Sequence, residues 1–378
     1  MRIIHIIPSL RKGGAERLAL DISTELASRN GIEVILVLLH NDRNYPVEQS
    51  KLQIKHVAAN VQLSVLRKPM LNINAWQQLL NEFKPDVVHS HLFEAEIVSR
   101  TAHYPKAAWF SHGHDNMPQL ETFGLDCFTN KRRLTDFFER QYLLKRYRRN
   151  GGNGFIAISK DVQSYLNRVL PADLRNIHLL SNAINASRFY KPADFITKPK
   201  AALELVTVGS LVNKKNQTFL VDVVKKLKDD GVDVHLNVLG DGVTRKMLEE
   251  KSAAWGLQEQ ISFRGNVPNV EEYLWNADVY VHSALYEPFG LVLIEAMVAG
   301  LPVVSLDGKG NRDIIKEGVN GFMPETDVTQ FAQRLMQLHT DKQLYTSISS
   351  GAKKFAADYD IKAYCDKLLQ IYNTALLH

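Results

Sequence analysis

Two glutamates, Glu287 and Glu295, stand eight positions apart in the apolar stretch "EPFGLVLIEAMVAGLPVV", residues 287–304. A carboxylate in such company is costly to bury unless it is paired or hydrogen-bonded. Glu287 precedes and Glu295 follows a helix start read at Phe289–Gly290, where unpaired N–H groups and the helix dipole favour anions. Acids so placed can hold two different parts of one polyhydroxylated ligand, one of them accepting from both hydroxyls of a ribose. The plainer alternative makes Glu295 a buried helix residue paired with a nearby arginine.

Three glycine turns repeat the theme of a strand feeding a helix. In "IIPSLRKGGAERL", Gly13 and Gly14 allow close backbone approach, and the helix that follows offers free amides to an anion. The spacing is not G-x-G-x-x-G, and no acid marks the end of the next strand, so a pyrophosphate contact fits better than a dinucleotide site. "LVTVGSLVNKKNQTFL" puts Gly209 at a strand end and Lys214 and Lys215 before a helix at Asn216, placed to neutralise phosphate. "VLGDGVTRKML" adds Gly240 and Gly242. Each also reads as an ordinary turn, and the lysines as a solvated face.

The histidines supply a rival chemistry. "VVHSH" and "WFSHGHD" give His89/His91 and His112/His114, each an i, i+2 pair on one strand face. With Asp115 they form a metal-ligand set of the kind hydrolases use. Against that reading, no third His/Asp/Glu cluster completes a barrel-type site, and the chain lacks an eightfold β/α pattern.

These residues need a scaffold. With 378 residues the chain is long enough for two domains, and 45% hydrophobic with 23% charged residues suits a globular enzyme. Strands are expected at Ile3–Ile7, Val34–Leu39, Val87–His91, Ala107–Ser111 and Phe155–Ser159, then at Leu205–Gly209, Val234–Gly240, Ile261–Gly265, Val279–Ser283 and Pro302–Leu306. Helical patterns separate them, clearest where Leu18, Ile22 and Leu26 share one face. Strands apolar on both faces and separated by helices imply parallel, doubly wound sheets. A polar, Pro- and Lys-containing break over residues 181–203 divides two such series, and the tail from Ile361 to Leu377 reads as a helix packing back. Ligands of such folds bind at the carboxyl ends of the strands, here in a cleft between two domains.

Cys127 and Cys365 have no metal or redox spacing, which suits a reducing cytoplasm, and "MRIIHIIPSL" is too short an apolar run for a signal peptide. No membrane span is expected. The net charge of +5 is concentrated in residues 131–150, which alone carry +6 and leave the rest near −1. With Phe137, Phe138, Tyr142 and Tyr147 interleaved, this segment suits an anionic membrane surface or a lipid diphosphate, or else a solvated face. Charge confined to one segment argues against nucleic acid.

Taken in order, "GGAERL", "PDVVHSH", "FIAIS", "SNAINASRF", "VGSLVNKKN", "LGDG", "FRGNV", "NADVYVHSALYEPFGLVLIEA" and "GVNGF" span nearly the whole chain. The set, with its E-x7-E element, resembles the retaining glycosyltransferases of GT-B architecture, the family 4 or group 1 type. The resemblance implies two Rossmann-like domains facing across a cleft, over residues 1–185 and 186–360, with 361–378 crossing back to the first. It implies transfer, with retention, of a sugar from a nucleotide diphosphate donor, UDP-linked rather than GDP-linked, to a glycan or lipid-linked hydroxyl in surface polysaccharide synthesis. It places the enzyme in the cytoplasm or peripherally at the inner membrane face, with no metal or other cofactor.

By the same resemblance Glu295 binds the ribose, and Glu287 the donor sugar or the charge developing on it. Amides of Phe289, Gly290 and Leu291 meet sugar and phosphate, and Lys215 holds the diphosphate. Gly13 and Gly14 approach from the other domain, Gly209 and Gly240 give the ligand backbone room, Val267 lies near the base, and His112, preferred over His114, contacts the sugar. Two departures stand out: Ser210 where the family often has Arg, and Asn182-Ala183-Ile184-Asn185 in place of "NGID". A metal-dependent hydrolase and a noncatalytic nucleotide-sugar sensor remain the alternatives.

Overall fold

The computed structural model describes residues 1–377 apart from 46–50, 64–67, 122, 125–129, 151–152 and 196–201, so Cys127 lies outside the described residues. The chain divides into two compact units, Met1–Ala183 with Ile361–His378, and Ile184–Asp360.

The first unit is laid down as β1 (Arg2–Ile7), β2 (Glu33–Leu38), β3 (Gln53–His56), β4 (Asn60–Gln62), β5 (Met70–Asn72), β6 (Val87–His91), β7 (Ala108–Gly113), β8 (Asn153–Ala157) and β9 (Ile177–Leu179). Seven of these form a parallel sheet in the order β3-β2-β1-β6-β7-β8-β9, while β4 and β5 make a separate antiparallel ribbon. Strand β1 is buried at every position after Arg2, as helices on both faces require. Leu18, Ile22 and Leu26 turn inward from the Gly14–Ser28 helix, as their spacing predicts. The Ile361–Leu376 helix lies on that same helix, with Cys365 Sγ 4.0 Å from the Ile22 carbonyl and Arg29 paired to Asp366 at 2.5 Å.

The second unit follows with β10 (Leu203–Val208), β11 (Val234–Leu239), β12 (Ile261–Gly265), β13 (Val279–His282), β14 (Val303–Ser305) and β15 (Gly321–Phe322). Its parallel order is β12-β11-β10-β13-β14-β15. Leu205, Leu236 and Val281 of the sheet pack with Leu220, Val224 and Phe331 of the covering helices in one core. Strand order reverses between β1 and β6 and again between β10 and β13. In open parallel sheets such reversals are where ligands bind, beyond the carboxyl ends of the strands. No helix among the described residues is long and apolar enough to cross a membrane.

Candidate active site

At the reversal in the second sheet, β10 runs through Gly209 into a 3-10 turn, Asn213–Lys215, and Asn216 takes a left-handed φ of 51° before the Gln217–Asp229 helix. Alongside, β13 ends at His282. The two loops are tied together: Ser283 Oγ donates to the Lys215 carbonyl (2.9 Å), and the Leu285 amide to the Lys214 carbonyl (3.0 Å). This tie sets the Lys215 ammonium against the Glu287 carboxylate in a close ion pair whose side chains are only 18% and 11% exposed. His282 Nε2 lies 3.2 Å from the same carboxylate oxygen. Burial alone would raise the Glu287 pKa, but His282 and Lys215 outweigh it and hold the acid at about 2. Glu287 is therefore a fixed anion at neutral pH, suited to stabilising positive charge and unsuited to donating a proton.

The backbone around Glu287 is equally constrained. Its amide donates to the Gly308 carbonyl (2.8 Å), its carbonyl accepts from Gly310 (3.0 Å), and buried Asn311 braces this loop through the Gly308 amide and the Leu306 carbonyl. Gly290 then sits at φ +92°, where an added Cβ would lie 2.9 Å from Leu293 Cδ1 and 3.2 Å from Glu287 Cγ. A side chain there would disturb both the left-handed turn and the acid. The helix begins at Leu291, directly after this turn, with Phe289 buried beneath it and half-buried Glu295 inside its second turn. The Tyr280 phenol is pushed upward first by burial and then by the charges of Glu287 and Glu295, so both acids act on one spot. The structure thus brings together Lys215, Glu287, Glu295 and the strand end carrying Tyr280 and His282.

The neighbouring glycine turn closes tightly. Gly240, at φ +129°, passes so near Gly209 that a Cβ would lie 2.0 Å from the Gly209 carbonyl oxygen. Half-buried Val267 follows β12 on the same side of the reversal, next to that turn through the Gly240–Gly265 bridge. Ser210, where a further cation was expected, contributes its carbonyl to the Gln217 amide group (3.1 Å).

In the first unit, Gly13 caps the Gly14–Ser28 helix and exchanges hydrogen bonds with the Tyr45 hydroxyl (3.0 and 2.9 Å). The Glu16 carboxylate lies against Gly13, within 2.1 Å of where a Cβ would stand, and burial raises its pKa. An anion approaching the Gly13–Gly14 turn meets this acid, which the glycine pattern by itself did not disclose. His112 ends up wholly buried near the end of β7, with Nε2 3.4 Å from Asn182 Oδ1, and burial lowers its pKa to about 4. It is stacked on His114 with ring centres 4.2 Å apart.

Two family models divide the chain between them. Glycosyltransferase Family 4 matches residues 12–188, and Glycosyl transferases group 1 matches residues 193–355. Both halves of the chain thus match glycosyltransferase family models. Among curated relatives the chain is 28% identical over 207 residues to the lipopolysaccharide core biosynthesis glycosyltransferase LpsE of Rhizobium meliloti, covering 52% of this chain and 58% of LpsE. It is also 28% identical over 202 residues to the 2-deoxystreptamine N-acetyl-D-glucosaminyltransferase of Niallia circulans, 51% of each chain. The chain thus spans about half the length of these relatives. Of solved structures, HepE of Anabaena with UDP and glucose superposes with a TM-score of 0.81 at 20% identity, over 99% of this chain and 100% of HepE. Sucrose-phosphate synthase of Thermosynechococcus elongatus superposes with a TM-score of 0.78 at 18% identity, over 100% and 99%. The fold of this chain is therefore GT-B.

Besides Glu16, two histidines were not evident from the sequence. His282 lies inside "VYVHSALY", which reads as plain strand, and a buried histidine five positions before Glu287 was the available signal. His5 hides likewise in "RIIHII", until β1 pairs with β6 and sets it opposite His89.

Proposed function

We propose that this protein is a retaining glycosyltransferase that moves a sugar from a UDP-linked donor, in preference to a GDP-linked one, to a hydroxyl of a glycan or lipid-linked acceptor in surface polysaccharide synthesis. The observation that carries the reading is the buried Lys215–Glu287 pair at the reversal of the second sheet, with Glu295 on the helix that follows. HepE in its complexes with UDP and UDP-glucose, and LpsE by its role in lipopolysaccharide core synthesis, support the donor and acceptor classes.

On this reading the donor diphosphate competes with Glu287 for Lys215. Lys215 and the amides at Phe289, Gly290 and Leu291 take up the charge of the departing diphosphate. Glu287, released from its partner, faces the positive charge that develops at the anomeric carbon in an oxocarbenium-like transition state. Glu295 holds the ribose and Val267 lines the base. Fixed cations and amides do the work of a metal in this scheme, so transfer survives a chelator. Activity lost to a chelator and restored by zinc would instead favour hydrolysis by the histidines.

The test is a panel of nucleotide sugars scored by thermal stabilisation and then by transfer. At about 100 times its Kd, the matching donor raises the melting temperature of the second unit by about 5–10 °C. Glu295→Ala weakens that donor about 10- to 100-fold, the worth of hydrogen bonds to a charged group. Wild-type affinity in this variant contradicts the ribose assignment. A protein that binds the donor and never transfers its sugar is the sensor of the alternative reading.

The acceptor side of the proposal uses the Lys131–Arg149 helix. Arg140 bonds the Leu120 and Val169 carbonyls and Arg148 pairs with Asp173; Lys131, Arg132, Arg133, Lys145 and Arg149 are exposed on the helix surface, as is Phe138. These residues support peripheral binding to anionic lipid at the cytoplasmic face. Replacing Lys131, Arg132 and Arg133 with Gln is expected to lower partition onto phosphatidylglycerol vesicles by roughly 100-fold at low salt, at about 1 kcal/mol per cation. Unchanged partition contradicts this role.

A further inference from the structure

Among the described residues, the first unit holds a side-chain cluster that the transfer scheme leaves unused. His5 on β1 stands in register with His89 on β6, and His91 follows two residues later on the same face. Their ring centres are 5.1, 5.1 and 4.7 Å apart, and all three rings are fully buried. One nitrogen from each lies within 4.8 Å of the other two. The trio sits on the β1–β6 pair, where the order of the first sheet reverses.

Two of its ring nitrogens, His5 Nε2 and His89 Nε2, are buried without a hydrogen-bond partner. Native interiors rarely leave such groups unsatisfied without a reason. The opposite edge of the His89 ring is held, with Nδ1 2.5 Å from the Tyr372 hydroxyl of the Ile361–Leu376 helix. An outer partner on one ring nitrogen that fixes the other as a lone pair is the usual setting of a ligating histidine.

We propose that His5, His89 and His91 bind one transition-metal cation of the zinc class, at a site that the transfer scheme does not use, although His89 and His91 stack on His112 with ring centres 5.1 and 4.9 Å apart. Neutral imidazoles without a carboxylate select zinc, cobalt, nickel or copper over magnesium, calcium or manganese. Tetrahedral zinc with Zn–N near 2.0–2.1 Å requires ligand nitrogens about 3.4 Å apart. His5 Nδ1 and His91 Nε2 now share a hydrogen bond at 2.8 Å, so loading breaks that bond, moves its proton to the outer nitrogen of one ring and rotates the rings. His91, His112 and His114 form a second trio that shares His91, but only one of its nitrogens, His112 Nδ1, is buried without a partner. The first trio is therefore the site. The inference stands independently of the sugar-transfer reading.

The experiment uses the full, untagged chain stripped with a chelator, then titrated with Zn²⁺ against a chromogenic competitor and with Co²⁺ by visible absorption. One equivalent binds the wild type, and cobalt shows the intense bands of a four-coordinate ion. His5→Gln weakens zinc at least about 100-fold. Tyr372→Phe, which keeps the ring's shape, weakens it about 10- to 100-fold, as does His114→Gln, which removes the partner 2.9 Å from His91 Nδ1. His112→Gln, which alters the second trio and whose hydrogen bond goes to Asn182, changes it less than about threefold. The weak spectrum of hydrated cobalt in the wild type, or affinity lost in His112→Gln and kept in His5→Gln, overturns the site.

Discussion

Glu287→Gln is expected to lower kcat about 10²- to 10³-fold while the donor binds as well as before or better. The magnitude is that of removing one preorganised electrostatic partner from a reacting centre. The sign of the binding effect comes from Lys215. In the wild type its ammonium is held by Glu287 in a pair that is mostly shielded from water. The neutral amide of the variant has no charge with which to hold it, so Lys215 becomes available to the diphosphate at no cost of separation. Loss in kcat without a rise in KM is the pattern of an interaction made in the transition state alone. The same change leaves a cation without its buried partner, so the free variant melts below the wild type and donor restores part of the difference. Steady-state kinetics and melting curves together decide the matter. A variant with kcat within twofold of wild type would make Glu287 a structural partner of Lys215 and nothing more.

The pH dependence follows from the same pair. The Glu287 pKa falls from 4.5 unfolded to about 2 folded. Its contribution to stability is therefore complete above about pH 4.5 and is lost as pH falls toward 2. Within the neutral range neither stability nor turnover titrates with this group. An acidic limb in the rate profile near pH 6 belongs to another residue.

Much of this arrangement was legible before the fold was seen, for a physical reason. Strands buried on both faces are written as unbroken apolar runs, and the ten expected runs mark nine inner strands and the edge strand β12 within one or two residues. The other edge elements carry no such mark. Gln53–His56 is mostly exposed, Ile177–Leu179 and Gly321–Phe322 are too short to show a period, and the β4–β5 ribbon pairs with neither sheet. The site divides in the same way. Glu287, Glu295 and Lys215 were visible because charged side chains in apolar or glycine-rich surroundings are conspicuous. His282, His5 and Glu16 were not, since each becomes informative only through a partner distant in sequence or through a turn that folds over it. Parallel pairing brings His5 to His89 across 84 positions, and no local pattern contains that fact.

The largest expected loss of stability lies beneath the histidine-bearing strand ends. Arg100 is fully buried, and its guanidinium bonds Glu96 at 3.1 Å, Ser111 Oγ at 2.8 Å and Asn153, between the rings of Trp109 and Tyr147. Ser90 and Ser111 donate to the same Glu96 carboxylate, Ser111 at 2.7 Å. Ser90 and Ser111 each precede a histidine, His91 and His112, so this network braces the β6 and β7 ends from the opposite face of the sheet. Arg100→Met keeps much of the volume but strands a carboxylate in the interior, which costs about 3–5 kcal/mol. Glu96→Gln strands the cation and costs a similar amount. The double variant, combining Arg100→Met with Glu96→Gln, leaves neither charge unpaired and is expected to regain most of the loss. Denaturant unfolding of the four proteins closes the cycle. Additive losses would show that the two side chains are held by their other neighbours rather than by each other. Recovery in the double variant would show that the sheet under the site tolerates an uncharged pair but not half of a charged one.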